Sequence, residues 1–98
     1  MEENKKALLS LALVSDELGN QNATNTYINQ ALKYHSGNPE VYYFAAYLAV
    51  KQGDLEQAES RIRTAIHLKK NYDEAYKLLA DILYKSNRFE ECIEICKY

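Results

Sequence analysis

The sequence predicts an all-α chain built as a solenoid of three antiparallel helix-turn-helix repeats, six helices in all, the last one short. Three observations predict it. Leu8-x-x-Leu11-Ala12, Tyr42-x-x-Ala45-Ala46 and Tyr76-x-x-Leu79-Ala80 recur 34 residues apart. Thr24-x-x-x-Ile28-x-x-Ala31, Ala58-x-x-x-Ile62-x-x-Ala65 and Cys92-x-x-x-Cys96 echo one another at the same spacing. Gly19, Gly53 and Asn87 fall between these motifs at the same step, and Asn is the non-glycine residue that best tolerates a positive φ. A fixed period of this size marks stacked supersecondary units.

The expected organisation is a single domain over residues 1–98, with repeats at about 5–38, 39–72 and 73–98, the third incomplete. The first helix opens with Lys5-Lys6 and an apolar run to Val14, the order of a signal peptide. The run is short, ends in Ser15-Asp16-Glu17 with no small-residue cleavage pattern, and shares its register with two later helices. It therefore reads as a structural helix. The second helix carries Thr24, Ile28 and Ala31. The third starts at Asn38, a good N-cap, with Pro39 at the first helical position, where a missing N–H costs nothing. Its packed stripe is Tyr42, Ala45, Ala46 and Ala49, and Gly53 stops it. Asp54 with Gln57 forms a capping box for the fourth helix, which buries Leu55, Ala58, Ile62, Ala65 and Ile66. Ala46 and Ala58 allow the two helix axes to approach closely, where larger side chains would push them apart. Asp73-Glu74 and Glu90-Glu91 place negative charge in the first turns of the fifth and sixth helices, favourably to the macrodipole. The sixth helix, from about Arg88, carries Phe89, Cys92, Ile93, Ile95, Cys96 and Tyr98, more apolar surface than one packed face requires. A further helix or a second copy is expected to cover it, a frayed terminal helix being the alternative.

Composition narrows the function classes. With 98 residues, 47% of them hydrophobic, the chain suffices for one soluble unit, and it has no membrane-length apolar run. A net charge of −2 with acids and bases interspersed argues against nucleic acid as a partner. Two cysteines one helical turn apart are too few for a disulfide framework and point to reduced thiols, hence the cytoplasm. They read as small hydrophobes facing Leu79, Ala80 and Leu83 rather than as a redox pair. His35 and His67 have no companions at ligand spacing, so no metal is expected. The cations Arg61, Arg63, His67, Lys69 and Lys70 read as a solvated outer face. Asn22-Ala23-Thr24 matches a glycosylation acceptor, which matters only in a secreted chain. No nucleophile, base and oxyanion group converge, and neither catalysis nor a cofactor is expected.

The motifs quoted above resemble the tetratricopeptide repeat family, whose pattern runs aromatic-x-x-Leu-Gly-x-x-Tyr, then Ala-x-x-x-Phe, then a boundary proline. The middle unit matches best. The first departs with Leu8 for the aromatic and Thr24 for the small Ala, and Lys69-Lys70-Asn71 stands in place of the proline after the second unit, which suggests a longer helix or a softer joint there. The resemblance implies a right-handed superhelix whose first helices line a concave side. Phe44 and Leu48 then pack against neighbouring repeats. Tyr43, Tyr47 and Val50, with Leu9 and Leu13 from the first helix and Lys77, Asp81 and Tyr84 from the fifth, are expected to line an aromatic and aliphatic groove. Such a surface suits an extended peptide or partner helix with bulky apolar side chains. Some members of the family clamp acidic chaperone tails, but Leu9, Leu13, Phe44, Glu74 and Leu78 stand where the clamp residues would be. A carboxylate facing Glu74 there would cost several kcal/mol, so that reading is set aside. The expected function is a non-enzymatic protein-interaction scaffold, either by itself or as part of a longer repeat protein. The alternative is a structural module that self-assembles through the groove or the apolar C-terminal helix.

Overall fold

The computed structural model describes residues 5–97, Lys5 by its backbone alone. Within them six helices follow one another: α1 (Lys5–Glu17), α2 (Gln21–Tyr34), α3 (Pro39–Lys51), α4 (Leu55–Leu68), α5 (Asp73–Lys85) and α6 (Phe89–Cys96). Tyr98, expected on the apolar side of the last helix, lies outside the described residues. The helices pair as α1–α2, α3–α4 and α5–α6, and the hairpins stack into a slab of 43 × 27 × 15 Å.

The hairpin turns are built alike because one backbone constraint recurs. Gly19, Gly53 and Asn87 all have positive φ, at 78°, 81° and 63°. The residue after each donates its N–H to a carbonyl five positions back: Asn20 to Ser15, Asp54 to Ala49 and Arg88 to Leu83, each at 2.9 Å. Gly19, Gly53 and Asn87 themselves donate to Asp16, Val50 and Tyr84 at 3.0, 3.0 and 3.1 Å. These bonds satisfy the carbonyls that a helix end otherwise leaves orphaned. The following helices are capped in turn. Asn20, Asn38 and Asp54 accept from the N–H groups of Ala23, Glu40 and Gln57 at 3.1, 2.9 and 3.1 Å. Tyr72 and Arg88 supply no such bond, and the acid pairs Asp73-Glu74 and Glu90-Glu91 occupy those first turns instead.

Two hydrophobic clusters form the core, and α3 belongs to both. Val41, Ala45 and Leu48 pack with Leu8, Leu9, Ala12, Ile28 and Ala31 of the first hairpin. Ala46 and Ala49 pack with Ala58, Ile62 and Ala65 of α4 and with Tyr72, Ala75, Leu79, Ile82 and Leu83. Ala46 and Ala58 are both fully buried, as tight packing of α3 on α4 requires. Thr24 does not loosen the first hairpin: it is fully buried, and its hydroxyl donates to the Asn20 carbonyl at 2.9 Å.

Two expectations are corrected. The joint after the second hairpin is neither softer nor preceded by a longer helix, since α4 has 14 residues, as α2 does. There α5 packs broadly on α4, Tyr72 is buried in the seam, and the Lys69 ammonium sits 4.7 Å from its ring centroid. The looser joint is the earlier one, where α2 meets α3 at fewer points and a void of about 30 Å³ remains beside Thr24 and Leu48. The cysteines also part company. Cys92 is half-buried and its Sγ donates to the Ala80 carbonyl at 3.3 Å, whereas Cys96 is exposed. The reason is that α6 leans on the core through Cys92 and Ile95 alone, and no described residue of α6 is fully buried.

An ion-pair network supplements that thin contact. Arg88 pairs with Glu59 of α4 and with Glu91, and Glu59 also accepts from Arg63 at 2.9 Å. Burial of Glu59 opposes its ionisation, but hydrogen bonds from Arg88 and Arg63 outweigh this and hold its carboxyl below the ordinary value.

No atom lies within 4 Å of a Cβ built on Gly53, so substitution there tests the backbone alone. Gly53→Ala is expected to lower unfolding free energy by about 1–2 kcal/mol, the left-handed penalty. Gly53→Asn, which copies position 87, is expected to cost less, both read by urea denaturation.

Candidate protein-binding face

Since α3 is packed on two sides, few of its side chains reach solvent. Tyr43 and Tyr47, one turn apart, lie on the remaining sector. Tyr43 is half-buried, its ring centroid 5.4 Å from that of Tyr72 with planes tilted by 33°. Tyr72 is itself only 8% exposed, so the pair is anchored at the seam between the second and third hairpins. Tyr47 is 40% exposed. Its ring lies 6.3 Å from Phe44, which in turn packs on the first hairpin's cluster. The Lys51 ammonium stands 5.6 Å from the Tyr47 centroid and pairs with Asp16 at 3.0 Å. Aromatic rings thus run from the seam to the first hairpin, each held by a neighbour before any ligand arrives.

The electrostatics of this row are acidic at one end. Burial pushes the Tyr43 hydroxyl above the ordinary tyrosine pKa, with the Glu74 carboxylate and Tyr47 adding to it. Tyr72 is raised by burial and by Glu40, Glu74 and Tyr43. Lys51 is raised chiefly by its hydrogen bond with Asp16.

The other expected groove residues are distributed differently. Leu9 is 7% exposed and belongs to the core, so it cannot line a surface: α1 turns that face onto the first hairpin's cluster. Leu13 and Val50 are half-buried against the two clusters. Asp81 pairs with Lys85 at 3.1 Å. Tyr84 is 62% exposed and meets Phe89 edge-on at 5.5 Å. Lys77 lines a cleft of about 690 Å³ with Lys70, Tyr76, Ala80, Ile95 and Cys96. Tyr43 and Tyr47 are therefore brought together, while Lys77 and Tyr84 border a separate face at α5 and α6.

Sequence reasoning placed Glu74 beside the groove but missed Tyr72 and Glu40. A signal was available. Tyr72 stands 34 residues after the cap Asn38, and Glu74 stands 34 after Glu40. An aromatic at a capping position, where it makes no capping bond, is an anomaly that only a packing role explains. Elsewhere the chemistry is sparse. Among the described residues no three His, Cys, Asp or Glu side chains gather as a metal site, and no described helix is long and apolar enough to cross a membrane. Burial, helped by Cys96 and Asp81, pushes the Cys92 thiol up and keeps it protonated.

Paired helices stacked through a shared central helix, with an aromatic row left on its free sector, define a helical-repeat solenoid. The Tetratricopeptide repeat family model matches residues 52–97, and the 34-residue motifs of the chain resemble that family's. Two solved structures of MamA share the fold. One superposes with a TM-score of 0.80 at 21% identity, over 94% of this chain and 54% of that one. The other gives 0.84 at 15% identity, over 96% and 51%. The chain thus spans about half the length of each. A comparison with curated proteins finds no match.

The raised Tyr43 and Tyr72 values have a sign that can be checked. Their contribution to stability is complete below the unfolded tyrosine value of 10.0 and is lost as pH rises through the folded values. Glu74→Gln is expected to lower the Tyr43 pKa toward the ordinary value, read as an earlier onset of tyrosinate absorbance in an alkaline titration.

Proposed function

We propose that this chain is a non-enzymatic interaction module that takes an extended peptide or a partner helix against α3, with Tyr43 and Tyr47 as anchors. The observation that carries the reading is the pre-set aromatic row. Tyr47 remains 40% exposed although Ala46 and Leu48 on either side of it are buried, and Tyr43 is held by Tyr72 before binding. Ring-anchored tyrosines lose little conformational freedom on association, so burying them is used efficiently for affinity. Leu13 and Val50 extend the apolar floor, and Lys51 with Glu74 set charges at the rim. Lys77, Asp81 and Tyr84 belong to a separate border and are not needed for this contact.

Several features support a protein ligand over other classes. The polar groups near the row are phenols and mostly paired charges, which supply recognition but no nucleophile activated by a base. A net charge of −2 gives nucleic acid no electrostatic purchase. Glu74 beside Tyr43 disfavours a ligand whose carboxylate must sit there, which sets this face apart from acidic-tail clamps. The two free thiols are suited to the cytoplasm as the working compartment.

The reading is tested with peptides selected from a random display library on the wild-type chain. Tyr43→Ala with Tyr47→Ala is expected to weaken their binding by about 30-fold or more, the loss that corresponds to a hot-spot truncation of about 2 kcal/mol. Circular dichroism should show unchanged helicity. Equal affinity in a folded double variant contradicts the proposal.

A further inference from the structure

We propose that copies of this chain associate head to tail, the outer face of α1 in one copy seating in the α5–α6 cleft of the next. The warrant is the chain's own repeat. Each interior joint is made by three residues of a first helix at i, i+4 and i+7. On α3 these are Val41, Ala45 and Leu48, exposed by 0%, 5% and 1% and packed with the first hairpin's cluster. On α5 they are Ala75, Leu79 and Ile82, exposed by 0%, 1% and 0% and packed with the second hairpin.

One period earlier the same stripe falls on α1 as Ala7, Leu11 and Val14. All three are exposed, Leu11 by 45% and Val14 by 51%. Thus α1 repeats the covering half of a joint without a hairpin beneath it among the described residues.

The receiving half is also repeated. In the second hairpin, Ala46 and Ile62 are fully buried in the cluster that α5's stripe completes. One period later their counterparts are Ala80, half-buried, and Cys96, exposed. Both line the cleft of about 690 Å³ with Tyr76, the counterpart of Tyr42. The cleft is therefore the seat that a helix bearing an i, i+4, i+7 apolar stripe fills in the joint before it. A second copy brings such a stripe at the matching register, which an unrelated helix does not. The surfaces differ, so the contact is heterologous and can join more than two copies.

The test is sedimentation of the 98-residue chain under reducing conditions. The wild type is expected to show a weight-average mass that rises past the dimer with concentration. Leu11→Glu with Val14→Glu alters only exposed positions, and Ala80→Glu with Cys96→Glu alters the cleft. Each double variant alone should associate at least tenfold more weakly. Mixed in equal amounts they retain one intact face apiece and should form a dimer that grows no further. Should the Ala80 substitution disturb folding, Cys96→Glu at its exposed position serves for the cleft. Three results overturn the proposal: a wild type that stays monomeric at high micromolar concentration, an α1 variant that associates as the wild type does, or a mixture that remains monomeric. Tyr43→Ala with Tyr47→Ala should leave the mass unchanged, which separates this interface from the peptide-binding face.

Discussion

The structure depends on one helix being packed from two sides. On α3, Val41, Ala45 and Leu48 serve the first hairpin while Ala46 and Ala49 serve α4 and the third. Small residues make this possible. Ala45, Ala46 and Ala49 let neighbouring helices approach from both flanks, and bulk at any of them would separate axes that ordinarily lie about 8–10 Å apart. The two clusters are therefore joined by a rigid element, which transmits packing from one hairpin to the next.

That constraint also determines what can be functional. A helix enclosed on two sides keeps a narrow solvent sector, and here it is occupied by tyrosines whose rings are already supported by Tyr72 and Phe44. The same packing that stabilises the solenoid thus pre-organises its candidate binding face. At the two ends the support is one-sided. Leu11 and Val14 on α1, with Tyr84, Phe89 and Ile93 near the other end, remain at least 45% exposed.

Much of this was legible in the sequence because it follows from local rules. Gly19, Gly53 and Asn87 announce a left-handed turn by residue type alone, and Asn38 with Pro39 announces a helix start. The pairing of Ala46 with Ala58 follows from side-chain size. What was not legible depends on packing between distant segments. Leu9 and Tyr43 occupy the same register, yet Leu9 sinks into the first cluster while Tyr43 stays at a seam. Nothing local distinguishes them. A boundary lacking proline suggests looseness, whereas the buried Tyr72 ring closes that joint. Helical spacing from Cys92 predicts a core position for Cys96, but α6 docks too shallowly to cover both.

The central claim is that the free sector of α3, and no other face, receives a peptide ligand. Amide chemical-shift mapping during titration with a library-selected peptide tests it most directly. The account predicts that the largest shifts lie around Tyr43, Tyr47 and Lys51, with Tyr72 and Glu74 next to them. Shifts concentrated on α4 around Arg61 and Arg63, with α3 unmoved, would contradict it.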